Sequence, residues 1–448
     1  MAEVPTCIFP RRDFFLLHFM YVKEYDVLIA GAGAAGMMAA LTIVLTGRTV
    51  AIVEAKNRTG GRMHTINNPA FEKPVELGAE FVHGEPPIIL ELFKKAGIVK
   101  QEAGGEVWEY KNAGLERKAD LSESYKALSR LCKSLSKDIS VADFVNRYLT
   151  GNEHRELCIS LKNYVEGYYA GNMEKASTYA LRDDLRAGED KDCRVDGGYI
   201  RLASYLEREC RAQGVDLYLG EEVREINWQA SQVELVTDKN RFQGKKVVIT
   251  VSVGVLQSGT IQFSPALPQK FAAIKQLGFG HAIKVNFQFT DPFWKDKSIT
   301  NGKDLSALHF LFSGEPIPTW WTQHPQKEAL LVGWLGGPAA KGFTSAAKDA
   351  VTEKAVKSLA QLFAVDYNLL QQKIVGAEWY NWSADKHFCG AYSYNVVNGS
   401  ELIKAISVPV ENTVYFSGEG LHSGNGIGTV EAALASGRDV AHQLMTEL

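Results

Sequence analysis

The six cysteines include no CxxC pair; Cys7, Cys132, Cys158, Cys193, Cys210 and Cys389 are scattered along 448 residues. Clustered thiols of a zinc or redox motif are thereby excluded, and the expectation is reduced thiols in a cytosolic protein without a metal site. An excess of one charge is also lacking, since 49 Lys and Arg face 52 Asp and Glu. Neither nucleic acid nor an anionic membrane surface is therefore expected as a partner. No low-complexity stretch or internal repeat occurs, and HQLMTEL closes the chain without a hydrophobic tail, so no C-terminal anchor is expected. One run alone, Val27 to Leu45 (VLIAGAGAAGMMAALTIVL), is long and uncharged enough to imitate a membrane helix. Three glycines at turn spacing, Asp26 before the run and an acid after the next strand favour a buried strand, a glycine turn and a buried helix instead.

The first nineteen residues, MAEVPTCIFPRRDFFLLHF, stand apart. Arg11 and Arg12 precede an apolar core too short for a signal peptide. Met20 opens MYVKEYDVLIAGAG, an ordinary entry to a first strand, so Met20 is expected to be the native start, or residues 1–19 a disordered tail.

What is present argues for two domains, because 448 residues exceed one ordinary core. Tyr25 to Ala30 reads as a strand, Ala34 to Thr46 as a helix and Thr49 to Glu54 as a strand, which makes one βαβ unit. From Pro86 to about Ala180 apolar residues recur at helical spacing. A helix over GGYIRLASYLERECRAQG precedes the strands VDLYLG, EVREINWQ, QVELVTD and KKVVITV. AIKVNFQF (Ala282 to Phe289), LHFLFSG and ALLVGWLGG read as strands and Thr352 to Phe363 as a helix. The chain closes with the strand TVYFSGE and a helix from Thr429 to Met445. Rossmann-like pieces thus fall at the start, middle and end. The expected fold is α/β plus α+β: a Rossmann-type domain assembled from 22–85, 190–260 and 411–448, and a substrate domain of mixed sheet and helices from 86–189 (helical) and 261–410.

Gly31, Gly33 and Gly36 form a GxGxxG turn between strand and helix. The first glycine permits the tight turn, the second lets backbone approach a pyrophosphate, and the third allows close helix–strand packing. The helix N-terminus offers unpaired N–H groups to a phosphate. Glu54 ends the next strand, eighteen residues after Gly36, where a carboxylate accepts ribose hydroxyls. The loop then runs through Ala55 to Gly60, Gly61 and Arg62, a second glycine turn whose arginine can neutralise a diphosphate. This continuation points to FAD rather than NAD.

These motifs resemble the flavin amine oxidase superfamily: monoamine oxidases, polyamine and spermine oxidases, and lysine-specific histone demethylases. VEAKNRTGGRM, VELGAEFVHG (Val75 to Gly84), EGYYAGNMEKAS, VVITVSVGVL (Val247 to Leu256) and FSGEGLHSGNGIGTVEAALASG (Phe416 to Gly437) carry the likeness, which runs from about Tyr25 to the end. It implies cofactor contacts at Ala35, along Leu77, Gly78, Ala79, Glu80 and Phe81, and at Val223, Thr250, Gly418, Glu419 and Gly428. It also implies that the helix starting near Thr429 and Val430 points its positive end at the flavin pyrimidine.

Lys284 stands on a strand flanked by Ile283, Val285, Phe287 and Phe289, and a buried lysine carries a cost that function must explain. The likeness assigns it a water held against flavin N5. The segment from Trp379 to Tyr394 resembles the one that supplies an aromatic cage, with Trp382 near the flavin and Tyr392 as one wall. Thr429 stands where monoamine oxidases have the second cage tyrosine, so the cage is half open. Ala391 occupies the position of their flavin-linked cysteine, which implies dissociable FAD, although Cys389 lies close by. His83 matches a substrate contact of polyamine oxidases but reads equally well as a hydrogen-bonded loop residue. Glu80 and Glu85 either supply charge for a second ammonium or are simply solvated.

The expectation is an FAD-dependent oxidase of a polyamine or other extended amine, giving an imine and, with O₂, H₂O₂. The rivals are an L-amino acid oxidase, a desaturase of carotenoid or porphyrinogen type, and a flavin-binding protein without turnover. The histone demethylases' extra domains and long helical insertion have no counterpart in this sequence, which speaks against a chromatin role.

Overall fold

A computed structural model describes residues 23–187 and 191–446. The N-terminal stretch singled out above lies outside the described residues. Val27 to Leu45 folds as strand Glu24–Ala30, a turn and helix Ala34–Val44, most of whose residues are buried. No helix among the described residues is long and apolar enough to cross a membrane.

An eight-stranded sheet runs in the order Asp216–Leu219, Val50–Glu54, Glu24–Ala30, Arg241–Ile249, Gln232–Thr237, Val223–Gln229 and Gln262–Ser264. Its eighth strand, Val414–Phe416, lies parallel to the second half of Arg241–Ile249, whose first half pairs with Gln232–Thr237. The central strands are apolar on both faces because helices cover both. Helix Ala34–Val44 packs on the closing helix Val430–Thr446 so closely that a Cβ on Gly437 would stand 2.2 Å from the Ala35 carbonyl oxygen. One expected boundary shifts. Gln262–Ser264 pairs in parallel with Val223–Gln229, so this sheet extends past residue 260.

A seven-stranded sheet runs Ile374–Asn381, Ala282–Phe289, Leu330–Gly336, Thr319–Thr322, Leu308–Phe312, Glu106–Lys111 and Gly114–Arg117. Every residue of Ala282–Phe289 is buried, because neighbours flank it on both edges. Helices Ser122–Lys133, Val141–Tyr148 and Arg155–Lys162 gather around Leu128, Phe144, Leu161 and Val165. A π-helical turn, Asn163–Tyr168, follows them.

The stretch from Pro86 to Ala180 is not helical throughout. Lys100–Glu102 joins Phe81–His83 and Asp192–Val195 in a small sheet, and Glu106–Lys111 and Gly114–Arg117 form a hairpin of the seven-stranded sheet. The hairpin turns on Asn112 and Ala113, both at positive φ (52° and 57°), the backbone that two-residue hairpin loops require.

Candidate active site

The nucleotide end is built by the βαβ turn. Gly31 takes φ 112°, and a Cβ on Gly36 would stand 2.0 Å from the Gly31 carbonyl oxygen, so both glycines are needed for closure. Beside Gly33 a Cβ would meet nothing within 4 Å, and the same holds at Gly418. Thr250 ties the turn down by donating its hydroxyl to the carbonyls of Ala30 and Gly31 at 2.9 and 3.0 Å. The Glu54 carboxylate accepts the amides of Ala32 and Lys56 at 2.7 and 2.8 Å, and burial raises its pKa despite them. The Glu54 carbonyl accepts the Glu221 amide at 2.8 Å, which brings the start of the strand at Val223 to the same edge. Gly60 donates its amide to the Ala32 carbonyl at 2.9 Å, so the second glycine turn lies on the first, with Ala55 between them in sequence.

Arg58 belongs to this end and was missed by the sequence reading. Its Nη2 is buried without a hydrogen-bond partner, and its nearest charged and phenolic neighbours include Glu54, Asp385 and Tyr380. An orphaned guanidinium nitrogen in the loop that follows Glu54 fits a dinucleotide, whose phosphates and ribose hydroxyls would satisfy it. The signal was available: an arginine four residues after Glu54, inside EAKNRTGGR.

Toward the other end, Arg62 donates to the Ala391 carbonyl at 2.9 Å and pairs with the buried Glu419. Glu419 also accepts the Ser393 hydroxyl at 3.2 Å. The two residues expected to bind the cofactor separately thus bind each other, locking the GGR loop to the closing segment. The LGA segment runs alongside. Ala79 donates its amide to the Arg62 carbonyl at 3.1 Å, and the Leu77 carbonyl accepts the indole N–H of Trp382 at 2.9 Å. Gly78 is wedged where a Cβ would stand 1.9 Å from the Arg62 oxygen. Trp382 is buried against Tyr380, with ring centroids 4.3 Å apart.

Lys284 Nζ donates to Glu80 Oε2 at 2.7 Å and to the Gly78 carbonyl at 3.2 Å, and lies 5.5 Å from the Trp321 ring centre. Glu80 Oε1 accepts from Arg194 Nε, Trp321 Nε1 and Gln323 Nε2 at 2.9, 2.9 and 3.2 Å. Burial alone would raise the Glu80 pKa, but Lys284 and Arg194 outweigh it and hold the carboxyl at about 2. Glu80 is buried away from bulk solvent and its carboxylate already holds the cations Lys284 and Arg194, which corrects both readings of it. Glu85 is exposed and paired with Lys100 at 2.7 Å. Phe81, next in the strand, packs under the Arg194 guanidinium at 4.7 Å.

Tyr392 donates its hydroxyl to the Tyr168 carbonyl at 2.6 Å and stacks on Trp334, with centroids 6.3 Å apart and planes at 13°. Trp334 donates its indole N–H to the Gly167 carbonyl at 2.8 Å, so one π-helical turn orients both rings. Trp334, unassigned from sequence, is the cross-strand partner of Lys284. A Cβ on Gly428 would be 3.2 Å from the Tyr392 ring, so the closing segment lies against that ring. The Thr429 hydroxyl is occupied in capping the helix Val430–Thr446: it donates to the Gly426 carbonyl at 2.6 Å and accepts the Ala432 amide at 3.1 Å. His83 Nδ1 lies 2.7 Å from Asp192 Oδ1, and its ring meets Tyr168 edge-on at 5.6 Å. Ala391 is buried, while Cys389 directs its thiol to the Lys386 carbonyl at 3.3 Å.

A family model described as flavin containing amine oxidoreductase matches residues 34–445. The chain belongs to this family. A rice lysine-specific histone demethylase 1 homolog 1 is 27% identical over 88% of this chain and 49% of its own length. Polyamine oxidase 2 of Arabidopsis thaliana is 26% identical over 93% of this chain and 87% of its own length. The chain thus spans about half of that demethylase and most of that polyamine oxidase. Among solved structures, putrescine oxidase bound to putrescine superposes with a TM-score of 0.77 at 19% identity, covering 95% of this chain and 99% of its own. Cyclohexylamine oxidase from Brevibacterium oxydans gives 0.76 at 20% identity with the same coverages. At these identities the likeness establishes a shared fold.

Proposed function

We propose that this chain is an FAD-dependent amine oxidase acting on a polyamine or another extended amine in the cytosol, with O₂ reduced to H₂O₂. The observation that carries the reading is the parallel pair of Tyr392 and Trp334, oriented by the carbonyls of Tyr168 and Gly167 beside the buried Lys284. Two stacked rings fixed by hydrogen bonds offer electron-rich, water-excluding walls, which suit an amine held by its nitrogen. FAD, bound without a covalent link by Gly33, Glu54, Arg58 and the neighbouring loops, supplies the hydride acceptor. The chain's own share is to strip water from the amine, orient it against the stacked rings, and keep a charge-compensated lysine at the site. His83, fixed by Asp192, meets the ring of Tyr168, whose carbonyl orients Tyr392, and this supports a role for it in hydrogen bonding a longer substrate.

Anaerobic titration of the yellow protein with simple amines, polyamines and amino acids tests this. Bleaching of the oxidised flavin band by spermine, spermidine or another amine is expected. Bleaching by amino acids alone would transfer the chain to the amino acid oxidases, and no bleaching by any of them would leave a desaturase or a non-catalytic flavoprotein.

A further inference from the structure

A cavity of about 60 Å³ has Glu76, Glu80, Arg194, Asn286, Gln323 and Gln326 in its wall, and neither Tyr392 nor Trp334 lines it. At roughly 10–15 Å³ per water, it has room for about four to six. Two lining side chains bury a polar atom without a protein partner: Asn286 Nδ2, from a residue only 1% exposed, and Gln326 Oε1. One needs an acceptor and the other a donor, and a short chain of water meets both needs where an apolar occupant meets neither. The lining reaches the surface at half-exposed Lys73, which pairs with Glu328 at 2.6 Å, and at half-exposed Asp196. The lining also includes Glu80, whose Oε2 accepts from Lys284 Nζ at 2.7 Å. Glu76 accepts the Thr65 hydroxyl at 2.8 Å and the Tyr199 amide, and shares the field of Lys284 and Glu80.

We propose that this cavity is a water path through which the Lys284–Glu80 pair exchanges protons with bulk solvent, on a route separate from the amine cleft. Its use rests on the amine oxidase reading. Reoxidation by O₂ takes two electrons and one proton from the reduced flavin and one further proton from solvent, giving H₂O₂. On this route the further proton enters from bulk water along the cavity and reaches the flavin side through the hydrogen-bonded Glu80–Lys284 pair. Burial pushes the Glu76 carboxyl up to about 7, so a group able to take and release protons near neutrality lies on the path.

Two experiments test the path. In a high-resolution crystal structure of the FAD-bound protein, ordered waters are expected from Asn286 Nδ2 past Gln326 Oε1 toward Asp196; a dry or collapsed cavity overturns the proposal. In the second, the flavin is photoreduced without any amine, then mixed with O₂ beside a pH-indicator dye. Asn286→Leu, and independently Gln326→Leu, are expected to slow proton uptake at least fivefold while FAD content and any anaerobic bleaching by amine stay unchanged. Proton uptake as fast as in the parent in both variants overturns it. Photoreduction needs no substrate, so a protein that ignores every amine can still pass or fail this test.

Discussion

Lys284 is the residue on which the proposed site turns, and its environment is more specific than its strand. With Arg194 it balances Glu80 inside a buried cluster. Lys284→Met is expected to slow flavin reduction or reoxidation at least tenfold with FAD still bound; unchanged kinetics would remove Lys284 from the site. The same change removes one of the two cations paired with the buried Glu80, so a loss of about 3 kcal/mol in urea unfolding is also expected, and adding Glu80→Leu should deepen it, because the buried Arg194 then loses its carboxylate. Glu76 behaves oppositely to Glu80. Its carboxyl is raised by burial from 4.5 to about 7, so the folded state disfavours its charge. That penalty is absent below pH 4.5, grows as pH rises, and is complete above about 7. Glu76→Gln should therefore stabilise the protein more at pH 8 than at pH 5, read as the shift in urea midpoint. The burial of Lys284 was legible from Ile283, Val285, Phe287 and Phe289 around it. Its partner was not, because Glu80 lies 204 residues away and strand periodicity carries no cross-strand address.

At the scale of elements, the glycine turn offers a clean separation between folding and binding. Gly36→Ala should prevent the turn from closing and give insoluble protein. Gly33→Ala meets no protein atom, so apo-protein melting should stay within about 1 °C while FAD affinity falls at least tenfold in equilibrium titration. Equal affinity would mean that the dinucleotide does not cross that turn. Thr429→Ala removes a helix cap and should cost about 1 kcal/mol, seen as a lower melting temperature. Strands with strict apolar alternation, or buried on both faces, were readable in outline; Ala282–Phe289 was read with its observed ends. The hairpin Glu106–Lys111 and Gly114–Arg117 was not, since EVWEYKNAGLER is mostly charged or polar and sits among amphipathic helices. Trp334 fell within a predicted strand, but its role depends on Tyr392 and Gly167, which only the assembled sheet and π-helical turn bring to it.

On the scale of the whole molecule, the proposed FAD site draws on strands and loops from distant parts of the chain, which meet through Gly60 on Ala32 and Arg62 on Glu419. FAD should therefore raise the melting temperature, by about 2.7 kcal/mol of stabilisation at a hundredfold excess over Kd. Acid precipitation should leave the flavin in the supernatant, since Ala391 offers no thiol and Cys389 points elsewhere; yellow pellet would mean a covalent link. The division into two sheets follows from composition and pattern, whereas the pairing of Val414–Phe416 with Arg241–Ile249 follows from neither. That last pairing sets a schedule for synthesis. The first strands and helix emerge early from the ribosome, but the surface around Ala35 stays uncovered until Gly437 arrives. At roughly 5–20 residues per second that wait is ~20–80 s. During it the nascent chain presents an apolar helix face and an open strand edge, so cellular yield depends on chaperones that shield the N-terminal unit while translation finishes.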